Sequence, residues 1–429
     1  MAKGRKPGLR LAMADRSQIG WDMVCLDDLL AADHRARAVW DYIESCDLSA
    51  LYDRVCAVEG EAGRPPIDPA ILMTLWLYAT LEGVGSARLL ERLCERDLAY
   101  RWLCGGVGVN YHTLSDFRTE GGAVLDGLLT RSMAALVSAG LVDLDCLAVD
   151  SVHVRAAAAP WSFRSASRLK QLHEVAAQKV EQLAGELHDD PAAAVNRKKE
   201  RELREAQGRK ARLEAAQRAA DAIAEERKRD DEQQRRRKPK KDREPRASTT
   251  DGDARIMRMA AGGFAPAYSL QVKTDPQSGC VVGLDVTNKA SDRGQLVPAI
   301  DEIERRYGTM PKRALADSGF DAKPDIEALF RRQVEVFCPV PGSKGKPVPA
   351  TIRHGEREGV IAWRKRMSKE ENFAVYRQRF QCERPHADMR NRGLKQFAVR
   401  GLSKVKAVAL WFVTAYNFLQ IRRLQPQIA

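Results

Sequence analysis

Apolar residues run almost unbroken from Ala70 to Leu81, "AILMTLWLYATL", with Asp68-Pro69 just ahead of them. An acceptor followed by proline marks a helix start, so the pattern predicts a helix over 71–81, apolar all round and therefore buried. "GVGS" (83–86) then turns the chain, and Ser86 is placed to cap a second helix carrying Leu89, Leu90 and Leu93. "YHTLSDFR" (111–118) reads as a further helix start with Thr113 as its cap. Short helices joined by glycine turns and dotted with arginine suit a helix-turn-helix module or a helical packing and dimerisation domain. This helical region is drawn as residues 1–140.

The period changes at Leu144. "LDCLAVDSVHVRA" is apolar and β-branched on both alternating faces, as a buried strand is. "YSLQVKT" (268–274), the turn "DPQSG" and "CVVGLDVTN" (280–288) predict a hairpin. A helical segment over 294–306, a short strand in "RALADSGF" (313–320) and another in "VEVFCPV" (334–340) follow, then a final apolar-faced helix over 403–424. Strands first and helices after make a mixed α/β layer domain from 141–163 and 247–429. Between the first two strands the texture differs. Leu169, Leu172, Ala176, Val180, Leu183 and Leu187 form one helical stripe, and Leu203, Ala206, Leu213, Ala216, Ala220 and Ile223 a poorer second one. With Asp190-Pro191 as the break, 164–246 reads as a charged helical, coiled-coil-like hairpin ending in the basic tail "RRRKPKKDREPR" (235–246).

Charge sharpens the picture. The 429-residue chain carries a net charge of +13. The 164–246 segment holds 24 Lys and Arg against 17 Asp and Glu, so it supplies seven of those charges. That excess points to a polyanionic partner, nucleic acid foremost. Nine scattered cysteines without a C-x-x-C pair argue against a disulfide framework and a structural zinc site. No apolar core of a secretory signal follows the basic N-terminus, and the 70–81 run falls short of the ~20 residues of a membrane helix, so a cytoplasmic protein is expected.

Three acids stand where chemistry is expected. Asp150 interrupts an apolar strand, where a carboxylate is costly without compensation. Asp317 follows the strand "RALA" at its C-terminal end, where α/β sheets place ligands. Glu383 is the sole carboxylate between Tyr376 and Pro385, among Arg377, Arg379 and Arg384. Tyr376, Arg379, Glu383 and Arg390 follow the spacing Y-x2-R-x3-E-x6-[K/R]. At 100° per residue these four fall within about 60° on a helix, presenting a phenol, a carboxylate and two guanidinium groups to one object. A phosphodiester held with metal ions fits, the acid on the cation and the arginines on phosphate oxygens. Pro385 predicts a kink or a fresh helix start there; in the latter case the single-face arrangement fails. Asp285 and Asp292 are alternative acids that suit the pattern less well, and His153 reads as a local structural histidine.

The Y-R-E-K/R signature, the first-strand Asp and "ADSGF" resemble the DDE transposases of bacterial insertion sequences. "ERPHADMRNRGLKQFAVRGLSKVKAVALW", "GGFAPAYSLQV" and "RLLERLCERDLAYRWLCGG" are similar to a subgroup with a helical N-terminal domain. The resemblance implies a ribonuclease H-like α/β catalytic core, here interrupted by the charged helical hairpin. It also implies an acidic triad of Asp150, Asp317 and Glu383 holding two Mg²⁺ or Mn²⁺ ions, and contacts from Tyr376, Arg379 and Arg390 to DNA. The partners implied are the terminal inverted repeats and target DNA, with a homodimer on paired ends. Arg390 stands where the family usually has lysine; charge is kept, but a fork replaces a point charge. Two other classes compete: a transposase-derived DNA-binding protein without catalysis, and a coiled-coil scaffold resting on 164–246 alone, which leaves the acids unexplained.

Overall fold

The computed structural model describes residues 25–55, 66–189, 197–233, 244–343 and 346–424. The N-terminal region is helical: α1 (Arg35–Glu44), α2 (Ser49–Tyr52), α3 (Pro69–Leu81), α4 (Ala87–Arg96), α5 (Leu98–Cys104), α6 (Tyr111–Glu120) and α7 (Gly122–Ser138). The Asp68 carboxylate accepts from the Ala70 N–H and Ser86 from Leu89, so both expected caps are present. Thr113 is not a cap. Asn110 is, accepting the Thr113 N–H at 2.9 Å, and the helix starts at Tyr111, within the motif rather than after it.

The sheet comprises β1 (Cys146–Arg155), β4 (Arg255–Arg258), β5 (Phe264–Thr274), β6 (Val281–Thr287), β7 (Arg313–Ala316) and β8 (Glu335–Phe337), while β2 (Phe163–Ser165) and β3 (Arg246–Ser248) form a separate ribbon. β5 runs antiparallel to β1, and β6 antiparallel to the C-terminal half of β5. β7 and β8 lie on the other side of β1, all three parallel. β4 pairs with the N-terminal half of β5 on the edge that β6 continues. The four-residue "RIMR" of β4 and the three-residue strands of the ribbon are too short to show a period, which is why the pattern did not reveal them. Helices α10 (Leu296–Tyr307), α11 (Lys323–Arg331), α12 (Glu358–Arg366), α13 (Glu370–Arg377), α14 (Glu383–Asn391) and α15 (Leu402–Leu424) complete this part.

The two parts share one hydrophobic core. α15 is buried from Ala407 through Phe418 and packs against α3, α6 and α7 on one side and β6 on another. Trp76 of α3 and Trp411 of α15 pack at a tilt, with ring centroids 6.5 Å apart. An apolar all-round helix needs such two-sided cover. A buried charge network adds to it: Lys273 of β5 and Arg306 of α10 both hold Glu302, and Arg306 reaches Asp126 of α7 at 2.6 Å.

The charged hairpin is α8 (Ala166–Asp189) packed on α9 (Arg197–Gln233), with its own small core of Leu169, Ala176, Leu213, Ala216 and Ala220. The β2–β3 ribbon closes its base, pairing Ser165 with Arg246. The Asp190-Pro191 break and residues 235–243 of the basic tail lie outside the described residues.

Candidate active site

The parallel register of β1 and β7 pairs Val149 with Ala316, so Asp150 and Asp317 come next in step at adjacent strands. Asp150 is buried to 14 % exposure of its side chain, and its Oδ1 accepts the Ser151 N–H at 2.9 Å. The Asp317 carboxylate takes the Gly319 N–H at 2.8 Å, bending the chain into a single 3₁₀ turn, Ser318–Phe320.

Glu383 arrives from the C-terminal side. α13 ends at Arg377, a 3₁₀ turn (Gln378–Cys382) packs against β1, β5 and β7, and α14 begins at Glu383. The break expected from Pro385 is therefore there. Pro385 sits in the first turn of α14, where its missing N–H costs no helical bond. One continuous helical face for the four residues is therefore lost, but Arg379 and Glu383 still meet across the break. The Arg379 guanidinium lies near the Tyr376 phenol, 3.1 Å from Asp150 Oδ2 and 3.4 Å from Glu383 Oε1. The neighbouring arginines turn elsewhere: Arg377 pairs with Glu370, and Arg384 stacks over Phe380. Arg390 is exposed in the last turn of α14.

The local field favours a cation. Burial pushes the Asp150 carboxyl up; Arg379 and the Ser151 N–H oppose it, and Asp292 and Glu383 add repulsion. Burial likewise raises Asp317, with Asp150 and Asp292 contributing. Burial also raises the Tyr376 phenol. Burial alone would lower Arg379, yet Asp150 and Tyr376 leave it raised, firmly charged.

The sequence did not single out His386. Its Nδ1 lies 3.6 Å from Asp150 Oδ2, and burial, then the charges of Arg379 and Arg390, lower it to about 4, so it stands neutral beside the acid. A histidine three residues after Glu383 shares its helical face, which was the available signal. Asp292, ranked behind the other acids, does reach the site, whereas Asp285 ion-pairs with Lys406 of α15 at 3.4 Å. His153 hydrogen-bonds the Arg258 carbonyl at 2.8 Å, a local role.

The donor set is all carboxylate oxygen, the preference of hard divalent cations. Among the described residues no three His, Cys, Asp or Glu side chains already converge on one ion position; Arg379 supplies the positive charge at Asp150 and Glu383. In donor type and charge the residues fit divalent metal.

Asp150 within β1 and Asp317 just past the end of the adjacent parallel strand β7, on a sheet ordered β4-β5-β1-β7-β8 with β6 also paired to β5, form an arrangement that a ribonuclease H-like fold has. Residues 24–120 match the family described as Transposase domain (DUF772), and residues 230–418 match the Transposase DDE domain. The chain belongs to the DDE transposases of insertion sequences and is an enzyme of that kind. Enzymes of this family generally use divalent metal ions and act on DNA. No curated protein and no solved structure matches the chain significantly. No helix among the described residues is long and apolar enough to cross a membrane.

Proposed function

We propose that this transposase binds the terminal inverted repeats of its element and carries out metal-dependent strand cleavage and strand transfer, with Asp150, Asp317 and Glu383 as the acidic triad. The observation that carries the reading is the gathering of Asp150 and Glu383 on one guanidinium, with Asp317 in step with Asp150 just past the end of the adjacent parallel strand. The triad would hold two Mg²⁺ or Mn²⁺ ions, which supply an activated oxygen nucleophile and charge stabilisation on the leaving oxygen. The chain's own groups do the rest. Tyr376 lies beside the Arg379 fork, which is shaped to take phosphate oxygens once Asp150 and Glu383 engage metal. Arg390, exposed on the same face as Glu383, meets the backbone further along. Neutral His386 keeps Asp150 from facing bulk water on that side.

The surface supports a DNA track. A cleft of about 1900 Å³ is lined by Arg246 and Arg255, by Lys289 and Arg293 of the Asp292 loop, and by Arg353. Phe264 links it to a second groove of about 740 Å³ that holds Arg155, Trp161 and Arg400. Trp161 and Phe264 are 77 % and 72 % exposed, flat faces suited to stacking on bases. In this reading residues 1–140 and 164–246 are DNA-binding and assembly regions around the 141–163 and 247–429 core. A homodimer brings two sites to paired ends, on the nucleoid in the cytoplasm.

The test is excision in cells from a donor plasmid carrying the element's ends. Wild type should yield excised donor, while Asp150→Asn and Glu383→Ala should each reduce excision by about a hundredfold or more, since even outer-shell changes at metal sites cost 10–100-fold. Excision near wild type in either variant would refute the triad.

A further inference from the structure

The loop after β6 brings a fourth acid to the site. A Cβ built on Gly319 would meet Asp317 Oδ1 at 3.0 Å and Asp292 Oδ2 at 3.3 Å, so the two carboxylates flank one glycine. Asp292 is held from behind: the Gln271 amide donates to its Oδ1 at 3.1 Å and to Ser269 Oγ at 3.0 Å. Because a carboxylate only accepts, the amide nitrogen must face Asp292, which fixes the orientation of Gln271. Its Oε1 is then a buried acceptor with no protein partner among the described residues, on a side chain 4 % exposed. A buried oxygen with no donor is costly, and beside the Asp292 carboxylate a water or a hydrated cation would answer it. Structural reasons for Asp292 are weak by comparison. Among the described residues it has no ion pair, whereas its neighbour Arg293 pairs with Asp321 at 2.8 Å. Asp292 also repels Asp150 and Asp317, a burden that the fold alone has no use for.

We propose that Asp292 is a fourth carboxylate of the metal-binding site, paired with Asp317 across Gly319 and aimed by Gln271 as a positioning residue. The proposal rests on the triad reading and extends it. A Cβ at Gly319 would press on both acids, so a side chain there would have to push them apart by a few tenths of an ångström.

The experiment titrates the full-length, DNA-free protein with Mn²⁺, reading bound ion by loss of the free Mn²⁺ resonance and reading the metal-induced rise in Tm. The variants are Asp292→Asn, Asp317→Asn and, as a surface control, Asp285→Asn. Asp292→Asn should weaken Mn²⁺ binding about tenfold or more. Its metal-free Tm should be unchanged or higher, since one repelling charge is gone and Asn still accepts from Gln271. Asp285→Asn should bind as wild type does. Wild-type binding by Asp292→Asn while Asp317→Asn loses the ion would overturn the proposal and spare the triad. A fall in the metal-free Tm of Asp292→Asn, with unchanged Mn²⁺ affinity, would assign it a structural role and also overturn the proposal. Unchanged binding in Asp317→Asn as well, or no binding by wild type, would overturn both readings.

Discussion

Arg379 is the residue on which the site turns, because one guanidinium holds two acids. Asp150 is 14 % exposed and Arg379 16 %, so the pair is neither a surface contact nor fully dry. Removing one partner of a buried pair costs 3–5 kcal/mol; with this residual exposure we expect about 2 kcal/mol for Arg379→Ala in chelator. Metal should restore most of that loss, because a cation would then answer Asp150 and Glu383 directly. Thermal melts with and without Mn²⁺ check it, and a deficit that metal leaves untouched would show Arg379 to be purely structural. At this scale the sequence was informative about residue type and spacing. It showed the three acids and the Tyr-Arg-Glu spacing. It undervalued Asp292 because contact across a sheet, through Gln271, leaves no trace in spacing, and it passed over His386 because burial, not identity, makes that ring neutral.

Elements owe their positions to contacts of two kinds. The long-range apolar pattern was legible: α3, the β5–β6 hairpin and α15 all form where the periodicity placed them. What joined them was not. Glu302, Lys273, Arg306 and Asp126 tie α10, β5 and α7 together, and none of these residues stands out in a charged chain. Burial would raise the Glu302 carboxyl, but Lys273 and Arg306 outweigh it and hold it down at about 2, from an ordinary 4.5. A depressed carboxylate stabilises the fold above its unfolded pKa, and that contribution is lost as pH falls through the folded value. Wild type should therefore lose Tm progressively between about pH 4.5 and about pH 2 by this route. Glu302→Gln should be destabilised by about 3–5 kcal/mol at neutral pH, since buried Lys273 loses its only acidic partner among the described residues and Arg306 keeps only Asp126, and should show a flatter acid profile. Denaturant melts across that range test it; an acid profile as steep as that of wild type would exclude Glu302 as its source.

For the whole molecule, the sequence boundaries between helical and catalytic parts do not correspond to separate cores. α15 lies between α3, α6, α7 and β6, so the N-terminal helices and the sheet bury the same apolar surface. The α8–α9 hairpin differs: its core is its own, and Ser165 and Arg246 lie paired at its base. Replacing residues 166–245 with a short Gly-Ser turn should leave the main unfolding transition within about 0.5–1 kcal/mol of wild type, as changes away from a shared core usually do. DNA affinity should fall and its salt dependence should flatten, because a strongly basic segment is gone. Loss of folding in that variant would show the hairpin to be part of the main core.

The central claim is that Asp150, Asp317 and Glu383 act together on DNA through divalent metal. Its most direct measurement is the single-turnover rate of cleavage on a labelled duplex bearing one terminal inverted repeat, in Mg²⁺ and in chelator. The expected result is cleavage by wild type that needs Mg²⁺ and leaves a 3′-hydroxyl, and rates slower by about a hundredfold or more for Asp150→Asn, Asp317→Asn and Glu383→Gln, with DNA binding retained. Cleavage in chelator, or a near-wild-type rate in any one of the three variants, would contradict it.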